Sequence, residues 1–374
     1  MASAHRLVAF AWHQRTSPID TRERLLGALT GGEDRVLLST CHRVELYAAL
    51  AEGDDPCRWL RSLGVRANDA DAATRREGAS ALAHLFAVAS GLDSAVVGEP
   101  QILAQVRRAA VAARHPLLVA ALARALFVGR AVRAETGVSS TRSVGSLAVD
   151  ALLAELVDPT AATVLVIGAG EMGKLALRAL VRRVGSVVVA NRDLVRATAL
   201  AETHGARAIG LDEVERYVSR AAAVLSAADT RGAVLTAPVV ARRLRRGAIS
   251  VLDIAVPRSV DADARALLGT AYRSVDDLPG ARAGVPDRVL AAARARCERE
   301  ASRFLDARHP ERAAAIRQLR GRAEVVRAAK LERAMRRLGH LSERDRGVVA
   351  ALSRNITNAL LHEPTVALRE RSLH

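Results

Sequence analysis

Apolar residues recur along this chain with two different periods, and the change of period divides it. Between residues 146 and 282, short uninterrupted apolar runs alternate with helical stretches. Val164, Leu165, Val166 and Ile167 precede a glycine turn, residues 174–183 read as a helix, and residues 187–190 form a second run. A short apolar run bounded by turn residues fits a strand buried on both faces. Further strands fit residues 222–226 and 249–255. Crossovers between parallel strands are right-handed, so the pattern predicts a Rossmann-type α/β domain over 146–282.

Residues 1–145 mix strand-like runs (7–11, 35–38 and 44–48) with helical patterns, among them one long helix over 101–134. Strands early and helices late predict an α+β domain. From residue 283 the pattern is helical throughout. Leu290, Ala293, Cys297, Ala301 and Phe304 fall at three- and four-residue steps, which makes Cys297 a core thiol. A second series is Ile316, Leu319, Ala323 and Val326, and a third is Val349, Leu352, Ile356 and Leu360. Three amphipathic helices without strands cannot bury their apolar faces alone, so an all-α region over 283–374, a long helix followed by a helical domain, is expected to build a homodimer.

Composition changes this picture little. Half of the 374 residues are hydrophobic and 26% are charged, which suits two or three globular domains and excludes disorder and collagen-like repeats. No stretch approaches the roughly 20 uncharged apolar residues of a membrane helix, and residues 1–15 lack a signal-peptide plan, so a cytoplasmic protein is expected. Three cysteines without CxxC spacing indicate neither a disulfide framework nor a metal site. The net charge of +16 is almost all arginine, since only Lys174 and Lys330 are lysines. It fits a polyanionic partner such as a nucleic acid, or merely genomic base composition. Residues 281–374 hold 21 basic and 11 acidic side chains, so the excess is concentrated in the helical tail.

Gly168-Ala169-Gly170-Glu171-Met172-Gly173 follows a predicted strand and opens a predicted helix, the context in which GxGxxG binds a dinucleotide. Gly168 serves the tight turn, Gly170 the approach of pyrophosphate and Gly173 helix-to-strand packing. After the second strand stands Asn191-Arg192 instead of the acid that holds the ribose of NAD. An arginine there accepts a 2′-phosphate, which favours NADPH, with Arg196 as a second contact; the alternative is a solvated surface arginine.

Ser39-Thr40-Cys41-His42-Arg43-Val44-Glu45 places a thiol between two strand-like runs, in a setting that reads as polar, exposed and able to favour thiolate. Here the chain resembles the glutamyl-tRNA reductase family, whose pattern is Ser-Thr-Cys-Asn-Arg, a short residue and Glu. His84-Leu85-Phe86, Val88-Ala89-Ser90-Gly91-Leu92-Asp93-Ser94 and Gly98-Glu99-Pro100-Gln101-Ile102-Leu103 through Gln105-Val106 are similar to its second signature. The glycine turn, Asn191-Arg192, Asp253-Ile254-Ala255-Val256-Pro257-Arg258 and Ser274-Val275-Asp276-Asp277-Leu278 resemble the remaining blocks, in order, so the likeness covers essentially the whole chain.

The resemblance implies NADPH-dependent reduction of glutamyl-tRNA(Glu) to glutamate-1-semialdehyde, the first step of tetrapyrrole (porphyrin, heme) biosynthesis by the five-carbon route, through a thioester on Cys41. It implies a catalytic acid or base at His84, against which stands an ordinary core histidine, and a glutamyl pocket of Thr40, His42, Arg43, Ser94, Glu99, Gln101 and Gln105. Glu99 and Gln101, around Pro100, equally suit helix capping. Cofactor contacts fall on Gly168, Ala169, Gly170, Glu171, Met172, Gly173, Asn191 and Arg192. A homodimer, and glutamate-1-semialdehyde aminomutase as partner, are implied too. The sequence departs from the family pattern at His42, where Asn is usual, at Gln14, where His is usual, and at Ala87, where Arg is common. His42 invites a role in deprotonating the thiol. An NADP-dependent reductase of a free acid, of the shikimate dehydrogenase kind, and a binding-only paralogue are the competing readings.

Overall fold

The computed structural model describes residues 5–94, 96–99, 101–138, 143–228, 230, 232–278, 285–308 and 310–370. The N-terminal part runs β1 (His5–His13), α1 (Ile19–Ala28), β2 (Arg35–Thr40), β3 (Arg43–Ala51), α2 (Pro56–Ser62), α3 (Ala67–Asp71), β4 (Thr74–Glu77), α4 (Gly78–Ser90), α5 (Gln101–Ala112) and α6 (Pro116–Thr136). Its antiparallel sheet has the order β2-β3-β1-β4. Because successive side chains on a strand face opposite ways, Leu7 and Ala9 enter the core shared with α4, α5 and α6, while Val8, Phe10 and Trp12 enter the layer on the other face. The sheet is therefore covered on both sides.

Where one helix is predicted over 101–134, the structure has two. Pro116 brings no N–H and forces the preceding residue out of helical geometry, so α5 stops and His115 caps α6, its Nδ1 accepting the Leu117 N–H at 3.2 Å. β4 was hidden from pattern reading because Thr74-Arg75-Arg76-Glu77 is wholly polar, as an edge strand can be.

The next part runs α7 (Val144–Leu153), β5 (Thr163–Ile167), α8 (Glu171–Leu180), β6 (Ser186–Asn191), α9 (Leu194–His204), β7 (Arg207–Gly210), α10 (Val214–Val218), β8 (Ala223–Ser226), α11 (Ala237–Leu244), β9 (Ser250–Asp253), α12 (Ala262–Leu268) and β10 (Tyr272–Ser274). All pairings are parallel, in the order β10-β9-β8-β5-β6-β7. This is the doubly wound arrangement, whose ligand crevice lies where the order reverses, between the carboxyl ends of β5 and β8.

The tail consists of α13 (Asp287–Arg308), α14 (Pro310–Arg337) and α15 (Glu343–Glu370). The first of these does not await a second copy of the chain. Ala293, Cys297 and Ala301 are buried against α4 and α6, and Cys297 Sγ lies 3.7 Å from Ser90 Oγ, so Cys297 is a core thiol as its spacing predicts. The unpartnered apolar surface lies further on, at Val325 and Val326 of α14 and at Val348, Leu352, Ile356 and Leu360 of α15, the last four at steps of four residues. No described helix is long and apolar enough to cross a membrane.

The close approach of α13 to α4 and α6 depends on alanine. Replacing Ala301→Leu, at a position with no exposed surface, is expected to destabilise the fold by about 1–3 kcal/mol through overpacking, read as a lower urea midpoint at unchanged slope.

Candidate active site

Thr40 pairs with Arg43 across the β2–β3 ladder, so Cys41 and His42 form the whole of a two-residue hairpin turn. Thr40 Oγ1 accepts the His42 N–H at 3.2 Å, and the His42 carbonyl accepts the Gln14 N–H at 2.9 Å. Arg22 donates to the Cys41 carbonyl from α1. A turn fastened at this many points holds the thiol on rigid structure. Cys41 Sγ lies 3.0 Å from His42 Nδ1.

The setting differs from the exposed, thiolate-favouring one that the sequence suggests. Cys41 is half-buried and His42 is buried. Burial, with the charge of Glu99, pushes the Cys41 thiol up to about 12, against the pull of Arg22 and Arg43. Burial, with Arg22 and Arg43, pushes His42 down to about 3. The resting pair is thus uncharged, a thiol beside a neutral imidazole.

Beneath the turn, Glu45 accepts from Tyr47 Oη at 2.6 Å and from Arg43 Nη1 at 3.1 Å, with His84 Nε2 also at 3.1 Å. Burial favours the neutral acid here, yet His84 and Arg43 outweigh it and hold Glu45 well below the usual carboxylate range. His84 Nδ1 faces Asp93 Oδ2 at 3.6 Å, so this imidazole bridges two carboxylates, and the histidine in contact with the thiol is His42. Arg43 also donates to the Asp93 carbonyl. With both terminal nitrogens engaged, it is not the free bidentate fork that its residue type suggests.

Glu99 lies close enough to Cys41 and Arg43 to feel both, neighbours Ser94, and is raised by burial. Pro100 lies outside the described residues. Gln101 and Gln105 stand one turn apart on α5, which packs on β2. Glu99 Oε2, Gln101 Nε2, Gln105 Oε1 and Gln14 Oε1 are buried with no hydrogen-bond partner in the protein. Groups of this kind are normally satisfied, so a polar ligand suits them.

In the parallel sheet, Gly168 has φ +109°, and a Cβ there would lie 2.7 Å from the Ala227 carbonyl oxygen. A Cβ on Gly173 would lie 1.9 Å from the Gly168 oxygen, whereas one on Gly170 would meet nothing within 4 Å. The two outer glycines are required by packing, and the middle one faces open space before the N-terminus of α8, which has no side-chain cap. Such a cradle fits a pyrophosphate. Asn191 Oδ1 accepts the Ala169 N–H at 3.3 Å and its Nδ2 donates to the Asp193 carbonyl at 3.0 Å, while Arg192 is exposed beside the loop. Glu171 is exposed and Met172 half-buried in the first turn of α8.

The two halves meet. Cys41, Ile19 and Val96 pack with Ile254, Val256 and Leu278. Arg258 binds Glu23 through Nη2 at 2.6 Å and Nε at 3.0 Å, and binds Asp20 as well. The loop carrying Arg258 is shaped by Asp253, whose carboxylate accepts N–H groups of Ala255, Ser259 and Val260 and which burial raises to about 6. Arg22, Glu45 and Asp93 are site residues that sequence reading passed over. Glu45 had a signal, since Arg43, Glu45 and Tyr47 put polar groups at alternate positions of an apolar strand. Arg22 had none, because its partner Asp276 is 254 residues away.

A half-buried thiol packed against a doubly wound sheet with this glycine turn is the build of a nicotinamide-dependent oxidoreductase. Three family models match, described as glutamyl-tRNAGlu reductase, N-terminal domain (residues 7–136), shikimate / quinate 5-dehydrogenase (152–281) and glutamyl-tRNAGlu reductase, dimerisation domain (292–374). The chain is 34% identical to a glutamyl-tRNA reductase of Syntrophotalea carbinolica, over 95% of this chain and 88% of that one. It is 37% identical to a glutamyl-tRNA reductase of Stenotrophomonas maltophilia, over 96% and 90%. A solved glutamyl-tRNA reductase from Methanopyrus kandleri is 29% identical, covering 98% of this chain and 95% of that one, with a TM-score of 0.40. The chain belongs to the glutamyl-tRNA reductase family.

A raised thiol pKa means less thiolate at any given pH, and alkylation follows the thiolate. Iodoacetamide labelling of Cys41, followed by peptide mass spectrometry, is therefore expected to rise about tenfold per pH unit from about pH 7 to 9.5 without the plateau that an ordinary thiol shows above about 8.5.

Proposed function

We propose that this protein reduces glutamyl-tRNA(Glu) to glutamate-1-semialdehyde with NADPH, through a thioester on Cys41, as the first step of tetrapyrrole synthesis. The observation that carries the reading is Cys41 Sγ at 3.0 Å from a buried neutral His42, in a rigid turn that packs against the nucleotide-binding domain. Cys41 attacks the aminoacyl ester carbonyl, its proton passes to His42 Nδ1 and from there to the tRNA 3′-terminal oxygen, which leaves as a hydroxyl while His42 returns to neutral. A thioester is far more electrophilic than a carboxylate, so one difficult reduction becomes two easier steps. A reduced nicotinamide held at the glycine turn would supply the hydride for this reduction; the thioester carbonyl becomes the aldehyde, Cys41 leaves as thiolate, and it takes up a proton from water through His42.

The unpartnered buried groups of Gln14, Glu99, Gln101 and Gln105, with Thr40 and Ser94, are the pocket for the glutamyl moiety. Its amino group suits the carboxylate and amide oxygens, and Arg43 supplies the positive field for its side-chain carboxylate. His84 acts through Glu45 and Asp93. In the parallel sheet, Gly168, Ala169, Gly170, Glu171, Met172 and Gly173 line the pyrophosphate turn, with Asn191 holding it and Arg192 placed for a 2′-phosphate. The apolar stripe Val348, Leu352, Ile356 and Leu360 belongs to the homodimer seam. The chain folds as units at 1–145, 146–282 and 283–374, with α13 packed on the first. A glutamate-1-semialdehyde aminomutase would receive the labile aldehyde.

With purified protein, NADPH and tRNA charged with glutamate, the semialdehyde is expected to form, and Cys41→Ser is expected to abolish it. Product formed by the serine variant, or made equally well from free glutamate, would select a shikimate dehydrogenase-like reductase; binding without turnover would select the paralogue. Replacing Arg192→Ala is expected to raise the KM for NADPH about tenfold or more while leaving that for NADH within twofold, consistent with one lost charge-assisted phosphate contact of about 1.5–3 kcal/mol.

A further inference from the structure

Arg22 has no exposed side-chain surface, and a guanidinium taken out of water has to be met by acceptors. Its two terminal nitrogens go to different parts of the fold. Nη1 donates to the carbonyl of Cys41, and Nη2 donates to Oδ1 of Asp276. Asp276 stands in the short 3₁₀ turn Val275–Asp277 directly after β10. That turn is itself fixed, since Ser274 and Asp277 exchange side-chain and backbone hydrogen bonds across it. On one side, then, is a rigid turn of the nucleotide-binding sheet, and on the other is the backbone of the residue that carries the thiol.

The ordinary task of holding the two halves together has another bearer. Arg258 reaches Glu23 through its backbone and side chain and touches Asp20, all at the edge of the same junction. Arg22 adds something that Arg258 does not, because its second partner is the reacting residue. Without a partner at Nη2 the guanidinium is free to turn, and the Cys41 carbonyl loses a fixed donor.

We propose that Arg22 is a positioning residue, tying the Cys41 backbone to Asp276 so that docking of the nucleotide-binding domain sets where the Cys41 thioester stands for reduction. The inference rests on the thioester reading above. Attack on the ester needs only Cys41, His42 and the glutamyl pocket, all within the N-terminal part. Reduction needs the two halves in register, and a displacement of about 1 Å can slow such a step about 100-fold.

Arg22→Ala would strip the Cys41 carbonyl of this donor, leave a hole where the buried guanidinium sat and risk unfolding, so the test is made from the other side, at Asp276, which is partly exposed. Parent, Asp276→Asn and Asp276→Glu are mixed with tRNA charged with glutamate in the absence of NADPH, and acylation of Cys41 is timed by intact mass; NADPH is then added and loss of the thioester to aldehyde is timed. Asp276→Asn is expected to acylate within about twofold of the parent, to reduce the thioester about 10- to 100-fold more slowly, and to divert more of it to free glutamate by hydrolysis. Its NADPH dissociation constant is expected to stay unchanged, and Asp276→Glu, which keeps the charge, is expected to recover most of the rate. Equal losses in acylation and reduction, or no loss in reduction, would overturn the proposal. A parent protein that reduces charged tRNA but is never acylated would instead sink the thioester reading.

Discussion

A carboxylate removed from water must be surrounded by donors, and the position of the Cys41–His42 turn depends on how Glu45 meets that demand. Arg43 and Tyr47 flank it on its own strand, and His84 reaches it from α4. The three strand residues share one face because side chains alternate along a strand. A slip of one residue would turn them into the apolar layer formed by Val8, Phe10, Trp12 and Leu25, leaving a buried charge unpaired at a penalty of about 3–5 kcal/mol. The register of β3 is therefore fixed by one acid, and with it the place of the two-residue turn. His84 extends the constraint to α4, against which α13 packs.

The same burial explains why the thiol rests uncharged. An apolar, partly closed surround penalises thiolate and imidazolium alike, so Cys41 is less nucleophilic than an open cysteine would be. On the proposed mechanism the compensation would come in the second half of the reaction. A thioester formed in such a surround would be kept from water, and its hydrolysis would waste the charged tRNA. Slow resting reactivity and protection of the proposed intermediate would be two consequences of one desolvated site.

The Rossmann unit was legible because its interior strands are apolar on both faces and its glycines have separate steric tasks; the strands that escaped, Arg207–Gly210 and Tyr272–Ser274, are short, polar edges. Cys41, Thr40 and Arg43 could be found because they are contiguous. Local sequence misjudged their environment, however. Polar neighbours suggested exposure, while the actual burial comes from Ile19, Val96, Ile254 and Val256, residues distant along the chain. The one-helix reading of 101–134 failed for a local reason, since apolar periodicity continues smoothly through Pro116 and hides the missing N–H. Tail helices read alike, yet only tertiary packing separates α13, buried in the N-terminal core, from α14 and α15.

The arginine excess takes on a different meaning inside this structure. Arg133 donates to the carbonyls of Gly98 and Glu99, Arg243 to those of Ala221, Gly247 and Ala248, and Arg43 to that of Asp93. Each gathers loop carbonyls that no helix or strand satisfies, work that suits a planar fork with five donors and not a compact, strongly hydrated ammonium. Glu99 shows the consequence for the site, since its backbone is held by Arg133 while its side chain is left to face Cys41. Part of the positive charge that composition offered to a nucleic acid is thus spent on the scaffold, and a charge count overstates what reaches the surface. Polyanion capture has to be sought in arginines that point outward, such as Arg299, Arg317 and Arg320, which line one cleft between α13 and α14 with Asp306 as its acid.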